Sequence, residues 1–470
     1  GKRLRFTPFG CKAEVQTYAW KDFMGVLTNK VLRFISHTRF EDLPHKVIHQ
    51  AKRCLLDTLG ALLAGSDTPV VRIMNSFATQ YFRGNDATIL VSGERVSPIG
   101  AALANGYACN SLDIDDGYRM VKGHPGGCVL PVLLAATETA AHTRGADFLA
   151  ALVIGYEVAI RAGLIRHALF QTYHSSGSWG AVGGAAVAGR IMGLDGNRLR
   201  HALGVAEYHA PISPMMKGIE KPSMVKDSIG WGTMVAMASA LMAQEGFTGI
   251  EPLFSESPNK EWIEGLGNEY LMLNLYFKPY AVCRWSQPAV VALVKVVKQN
   301  DLRPQSISHI RVRTFAAAAA LSCDHPKNTE EAQYNLAYPL AAALFDGQVG
   351  PRQVLPPRIF DDSLLELADR VEVEVASEFE EVFPQKTYAE VIVHTEDGRG
   401  LSSGPVEPMW EPPGDLPTDA DLEKKFIGLV GPVVGAPRAQ GIASMIWNLD
   451  KMDGMKPLIT SCIRDRHFDS

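Results

Sequence analysis

Two long stretches, residues 128–141 and 146–164, have a helical pattern in which apolar residues occupy almost every side. A helix that is apolar around most of its circumference is buried among other elements and does not lie on a surface. Asp147, Glu157 and Arg161 interrupt the second stretch, so we do not expect it to cross a membrane. The chain is therefore predicted to fold around a buried bundle of helices.

Composition narrows the class of protein further. A chain of 470 residues suits two or three domains, and a formal net charge of −5 gives no sign of a nucleic-acid-binding surface. The seven cysteines lack the spacing of a metal site or a disulfide framework, which favours a reducing compartment such as the cytoplasm. Residues 1–24 are basic without the apolar core of a signal peptide, so we expect an N-terminal arm.

The sequence changes character after residue 272. Apolar and polar residues alternate in ISHIRVRTF, VEVEV and AEVIVHT, as in half-buried strands, and the last run is followed by the hairpin turn signal Asp397-Gly398. We expect a mainly α protein. Residues 25–272 and 405–464 would form a large all-helical domain without strands, and residues 273–404 an inserted, smaller α+β domain.

Residues 111–131, SLDIDDGYRMVKGHPGGCVLP, concentrate charge between two segments predicted to be buried helices. Three carboxylates, Asp113, Asp115 and Asp116, precede His124, which lies on a turn rich in Gly and Pro. Carboxylates in such positions often cap helices. A histidine held on a turn near carboxylates is also a candidate general acid or base. The residues alone leave both interpretations open.

Three later segments hold further candidates, each with a structural alternative. HSSG, with His174 and Ser175, opens a helix made mainly of Gly and Ala, where a serine could simply cap the helix. Lys226 lies in the irregular stretch 209–231; long loops are often functional, but a single lysine is usually solvated. The segment FKPYAVCR contributes a compact group of polar side chains: Lys278, Cys283 and Arg284.

Taken in order, the motifs LDIDD, GHPG before VLP, HSSG, SMVK, FKPYAVCR and AYPLAAALFDG resemble those of the MmgE/PrpD family. The resemblance implies a large all-helical domain with an α+β lid, usually assembled as a homodimer. It implies action on small di- or tricarboxylates without a metal or an organic cofactor. The activities it suggests are 2-methylcitrate dehydratase, cis-aconitate decarboxylase and iminodisuccinate epimerase.

The same motifs imply site residues. The implied catalytic residues are Asp113, His124, His174, Lys226, Lys278 and Tyr338, with Tyr334 as the alternative register for the tyrosine. The implied substrate-binding residues are Arg284, Cys283 and Ser175. The sequence departs from the family pattern after Lys226, where several relatives carry a His, and Cys283 fits the dehydratase version of its motif better than the decarboxylase version.

We therefore expect a cofactor-independent lyase, foremost a dehydratase of 2-methylcitrate type. Its alternatives are a cis-aconitate-type decarboxylase, an iminodisuccinate-type epimerase or a catalytically silent carboxylate-binding dimer. Lys226, Lys278 and Arg284 would stabilise the charge that develops on substrate carboxylates. His124 and His174 would act as general acid and base in an order that the sequence leaves open, and Asp113 would orient a histidine.

Overall fold

The computed structural model describes the backbone of residues 17–465 and the side chains of residues 25–465. Residues 1–16 of the predicted arm lie outside the described residues, and residues 17–24 belong to the first helix. The first part of the described chain is mostly helical, with these elements: α1 (Thr17–His37), α2 (His45–Gly65), α3 (Pro69–Tyr81), β1 (Ala87–Thr88), β2 (Arg95–Val96), α4 (Pro98–Asn110), α5 (Pro125–Thr139), α6 (Gly145–Leu169), α7 (Ser176–Ile191), α8 (Gly196–His209), α9 (Met216–Glu220), α10 (Ile229–Gln244) and α11 (Glu261–Glu264).

The second part mixes helices and strands before it returns to helix. Its elements are α12 (Gln287–Asn300), β3 (Ile307–Thr314), α13 (Ala316–Ala319), α14 (Thr329–Gln333), α15 (Ala337–Asp346), α16 (Asp362–Ala368), β4 (Val371–Val375), α17 (Ser377–Glu380), β5 (Ala389–Thr395), β6 (Gly400–Ser402), α18 (Asp419–Val434), α19 (Ala436–Trp447) and α20 (Lys456–Ser461). The predicted mainly α class is confirmed.

The core of the helical part is formed by α5, α6, α7 and α10, which pack on one another. By length and composition α6 could cross a membrane, but 94% of its most apolar window is buried inside the protein. Close packing of α6 on α7 depends on Gly183, where an added Cβ would come within 2.5 Å of the Ala159 side chain. The two apolar stretches are thus the buried centre of the bundle that their sequence predicts.

The four-stranded sheet has the order β4-β3-β5-β6. β3 pairs in parallel with β4 and antiparallel with β5, and β5 and β6 form a hairpin. Gly398 in the hairpin turn has a φ of +87°, a left-handed conformation that favours glycine. The three predicted strands are confirmed.

The expectation that residues 25–272 contain no strand is wrong, because β1 and β2 pair antiparallel within them. Each has only two residues, too few for an alternating pattern to be visible in sequence.

The last helices pack against the first ones. Thr418 caps α18 by accepting a hydrogen bond from the N–H of Asp421, and Phe426 of α18 packs beside Gly60 of α2. The ammonium group of Lys425 lies 2.6 Å from the carboxylate of Asp57, a side chain that is fully buried in α2. This buried ion pair fixes α18 to the bundle. The division into a helical domain and a lid stays a prediction.

Replacing Lys425 by Met should lower the free energy of unfolding by about 3–5 kcal/mol, because it leaves Asp57 buried without its cation. The neighbouring Lys424 is exposed, so Lys424→Met should change stability by less than about 0.5 kcal/mol. Urea unfolding of the two variants measures the difference. Equal losses in both would show that the ion pair does not hold α18 in place.

Candidate active site

A small cavity lies where the helical bundle meets the residues that follow α11. It is lined by Asp113, Arg119, Lys122, His124, Tyr173, Met215, Ile219, Asp227, Tyr276, Cys283, Arg284, Trp285, Tyr334, Phe383, Pro384, Thr387 and Glu411. Its free volume is about 40 Å³, which is room for about three water molecules. Charged, aromatic and apolar side chains from distant parts of the chain meet in this space.

His124 immediately precedes α5, whose first residue is Pro125. Its backbone N–H donates to Oγ of Ser176, 3.0 Å away, at the start of α7. Gly123 permits this contact, because a Cβ there would come within 2.4 Å of the same Ser176 oxygen. The GHPG motif and the HSSG motif therefore fix the imidazole together.

Carboxylates surround the ring of His124. Nε2 lies 3.3 Å from Oδ1 of Asp113, and Nδ1 lies 3.4 Å from Oδ2 of Asp115 and 2.8 Å from the backbone carbonyl of Asp116. Burial by itself would lower the pKa of His124, but the charge of Asp115 and the hydrogen bond to Asp113 raise it to about 9. The imidazole is therefore charged at neutral pH.

Asp113 also forms a buried ion pair. The Lys278 ammonium lies 2.7 Å from Oδ1 of Asp113, and neither side chain is more than 3% exposed. Burial tends to raise the pKa of Asp113, but Lys278 and His124 lower it below its ordinary value. The carboxylate of Asp113 therefore contacts two cations, the Lys278 ammonium and the His124 imidazolium.

Lys226 is buried next to the lining residue Tyr334, and among the described residues no carboxylate lies within ion-pair distance of its ammonium group. Its ammonium group donates to the backbone carbonyl of Ser111 (3.2 Å) and to the side-chain carbonyl of Gln333, and it lies 5.6 Å from the ring centre of Tyr334. Burial lowers the pKa of Lys226. Its hydrogen-bond partners are neutral, and the negative charges of Asp113 and Glu330 act on it from beyond ion-pair distance.

The carboxyl group of Asp227 also lines the cavity and faces the same ring nitrogen of His124 as Asp113 does. Its Oδ2 accepts a hydrogen bond from Ser176 at 2.7 Å and lies 3.9 Å from Nε2 of His124. Burial raises the pKa of Asp227. The pKa values of Asp113 and Asp227 are thus shifted in opposite directions beside the same histidine.

The far wall of the cavity carries two arginines that share one carboxylate. Glu411 lies 3.3 Å from a guanidinium nitrogen of Arg119 and 3.0 Å from one of Arg284. The guanidinium of Arg284 also lies 4.3 Å from the ring centre of Tyr276. Glu411 offsets much of the charge of both arginines.

One group of three buried side chains at the edge of the cavity has the residue types that bind metal ions. Asp113, Asp115 and His124 each present one ligand atom, and these atoms lie within 4.8 Å of one another. The ammonium of Lys278 is already bound to Asp113, so a cation is present there without a metal. The expectation of no metal stays a prediction.

Chemically, the arrangement places a charged imidazole in a small cavity that several cationic side chains border. Such a group can donate a proton to a carbon or oxygen atom in the cavity. The nearby ammonium groups can stabilise negative charge on a ligand carboxylate.

Comparison with known proteins places the chain in a family. Residues 29–263 match the MmgE/PrpD N-terminal domain and residues 280–451 match the MmgE/PrpD C-terminal domain. The chain belongs to the MmgE/PrpD family.

Three relatives that match this chain over most of their length are named after the same activity. The chain is 24% identical to the cis-aconitate decarboxylase-like protein oryM of Aspergillus oryzae over 93% of this chain and 97% of the relative. It is 24% identical to a cis-aconitate decarboxylase of Aspergillus terreus, covering 92% and 95% of the two chains. It is 26% identical to human cis-aconitate decarboxylase, covering 89% and 90%.

Several residues that the MmgE/PrpD motifs implied meet at the cavity. Asp113, His124, Cys283 and Arg284 line it. Lys278 contacts Asp113, and Lys226 lies over the ring of the lining residue Tyr334. Burial raises the pKa of the Cys283 thiol to about 12, so this thiol is neutral. Their catalytic and binding roles stay predictions.

Other implied residues do not line the cavity. The His174 ring is buried, lies 5.9 Å from the His167 ring and has no hydrogen-bond partner among the described residues. The hydroxyl of Ser175 is buried too, and no group in the described part of the chain forms a hydrogen bond with it. The Tyr338 hydroxyl donates to the backbone carbonyl of Gln353 at 2.5 Å, whereas Tyr334, the alternative register, lines the cavity.

Four charged lining residues were not identified from the sequence: Arg119, Lys122, Asp227 and Glu411. Asp227 follows Lys226 directly, so its adjacency to a motif lysine was an available signal. Glu411 lies in a Pro-rich stretch that looks like a linker, and 127 positions separate it from Arg284. No local pattern reveals such a contact.

Because Asp115 raises the pKa of His124, Asp115→Asn should move that pKa down from about 9 toward the ordinary value of 6.5. NMR titration of the His124 ring measures the shift. In the wild-type protein the charged ring stabilises the fold fully below pH 6.5, and this contribution is lost as the pH rises through about 9. Asp195→Asn, at an exposed cap of α8, is the matched control. An unchanged titration in Asp115→Asn would refute the electrostatic explanation.

Proposed function

We propose that this protein is a lyase that removes CO2 from a cis-aconitate-like tricarboxylate without a metal or an organic cofactor. The observation that carries the proposal is the charged ring of His124 in a small cavity bordered by cations. The names of the relatives support decarboxylation over the dehydration that Cys283 in the FKPYAVCR motif leads us to expect.

The chemistry needs one proton for each CO2. When the carbon–carbon bond to the carboxylate of the CH2 arm breaks, its electron pair stays on the substrate. The double bond delocalises that pair to the carbon beside another carboxylate, where a proton must be added. A tricarboxylate and one proton thus become a dicarboxylate and CO2.

His124 is the proton donor in this proposal, since a group with a pKa of about 9 holds its proton at neutral pH. Asp113 and Asp115 keep the ring charged and oriented. Lys226 and Lys278 supply positive potential that stabilises the delocalised pair on the remaining carboxylates. After CO2 has left and the substrate carbon has been protonated, solvent water returns a proton to His124.

A dehydratase of 2-methylcitrate type is the second candidate, and Cys283 favours it. The thiol stands where the decarboxylase version of the motif is expected to have a His, and it lines the cavity. A dehydratase would need His124 to protonate a departing hydroxyl group. The two candidates differ in whether CO2 or water leaves.

Incubation with cis-aconitate in D2O, followed by NMR and CO2 capture, tests the proposal. We expect one CO2 and one carbon-bound deuterium per turnover. His124→Gln should lower kcat by about 10²- to 10⁴-fold, whereas the exposed His142→Gln should not. Release of water from 2-methylcitrate with no CO2 from cis-aconitate would favour the second candidate. Full activity of His124→Gln would exclude His124 as the donor.

We also propose that the cavity opens to admit substrate. A space for about three waters is too small for a tricarboxylate. Phe383, Pro384 and Thr387 line it from the second part of the chain and are the cover proposed to move.

If the cover closes over a bound ligand, saturating citrate should slow proteolytic cleavage in residues 381–388 and 405–417. Mass spectrometry of the fragments measures the rates, and cleavage elsewhere in the same digest is the control. Identical rates with and without citrate would argue against closure. A homodimer is likewise a proposal that rests on the family resemblance, and sedimentation tests its mass. A cytoplasmic location is a proposal that rests on the cysteine pattern.

A further inference from the structure

The geometry points to Lys122 as the residue that binds a substrate carboxylate that is retained in the product, and so as a determinant of preference for tricarboxylates. This inference rests on the proposed function and adds a specific subsite to it. The motifs did not single out Lys122, which lies two positions before His124.

Lys122 differs from the other cations that line the cavity. Arg119 and Arg284 share the carboxylate of Glu411. Among the described residues, Lys122 has no carboxylate within ion-pair distance, and its ammonium lies 4.9 Å from the ring centre of Tyr173. Its pKa is lowered by burial. A partly buried cation without an anion, facing a cavity, is suited to an anionic ligand.

The backbone gives independent support. Lys122 has a φ of 49°, in the left-handed region that is unfavourable for a non-glycine residue. Asp113 and Lys226 have φ values of 50° and 45°. Strained residues tend to cluster at functional sites, and Lys122 shares its conformation with two residues that the family motifs already indicate.

The turn that holds Lys122 is fixed at several points. The backbone N–H of Lys122 donates to the carbonyl of Arg119 at 2.9 Å, and the N–H of Tyr118 donates to the carbonyl of Gly123 at 2.9 Å. The Tyr173 hydroxyl donates to the carbonyl of Lys122. These hydrogen bonds hold the backbone of Lys122 in one defined position.

The charge change of the reaction indicates which substrate carboxylate Lys122 binds. A carboxylate that leaves as neutral CO2 loses its charge in the transition state, so a cation bound to it would stabilise the substrate more than the transition state. The central carboxylate is retained, and the carbon that bears it receives none of the delocalised electron pair, so a cation bound to this carboxylate stabilises the substrate and the transition state nearly equally. Removing it should raise KM and leave kcat nearly unchanged.

Calorimetry with tricarballylate, an unreactive saturated tricarboxylate, and glutarate, which lacks its central carboxylate, tests the inference. Lys122→Met should weaken tricarballylate binding by about 10- to 100-fold and reduce the preference over glutarate. Lys122→Arg should retain most of the affinity. Lys217→Met, at an exposed position of α9, should bind like the wild type. Lys122→Gly should lose affinity while its Tm stays equal or rises, because glycine relieves the strain.

Wild-type affinity in Lys122→Met, equal weakening of both ligands, or no wild-type binding of tricarballylate would overturn the inference. With cis-aconitate, a fall in kcat larger than the rise in KM would also overturn it. The outcome is separable from the decarboxylase proposal: a protein that binds tricarballylate through Lys122 but releases no CO2 refutes that proposal and leaves this one standing.

Discussion

The buried pair of Asp113 and Lys278 is the contact on which the rest of the site depends. It joins the turn before α5 to the segment that leads into α12, two parts of the chain 165 positions apart. Both side chains are almost inaccessible to solvent, so Lys278 without Asp113 would lose its ion-pair partner in a poorly hydrated interior. The same Asp113 oxygen faces His124, which couples the assembly of the cavity to the charge of the imidazole.

The cations around that pair differ in the groups that contact them. Glu411 offsets Arg119 and Arg284 at one wall, while Lys226 is held by neutral oxygen atoms and Lys122 by an aromatic face. Behind His124, Asp116 accepts a hydrogen bond from Tyr156 at 2.6 Å, and burial raises the pKa of Asp116 to about 8. Asp116 therefore does not carry a full negative charge at neutral pH, and the cavity beside His124 can still attract polycarboxylates.

Local patterns predicted much of the fold and little of the site. The apolar helices and the three predicted strands have periodicities or turn residues that act over a few positions. Asp113, His124, Lys226 and Lys278 were identified because they lie in motifs, whereas their contacts join distant segments. The tyrosine shows the limit: Tyr334 and Tyr338 are four residues apart, but a break between α14 and α15 sends only Tyr334 to the cavity. Glu411 and Lys122 depend on tertiary packing that no local pattern contains.

The central claim is that His124 and the cations bind one polycarboxylate in one cavity. A crystal structure of the protein with bound tricarballylate tests it most directly. The account predicts a ligand carboxylate in contact with Lys122 and a ligand carbon next to Nε2 of His124, with Phe383 displaced. A ligand bound elsewhere, with the cavity still closed and both side chains free of it, would contradict the account.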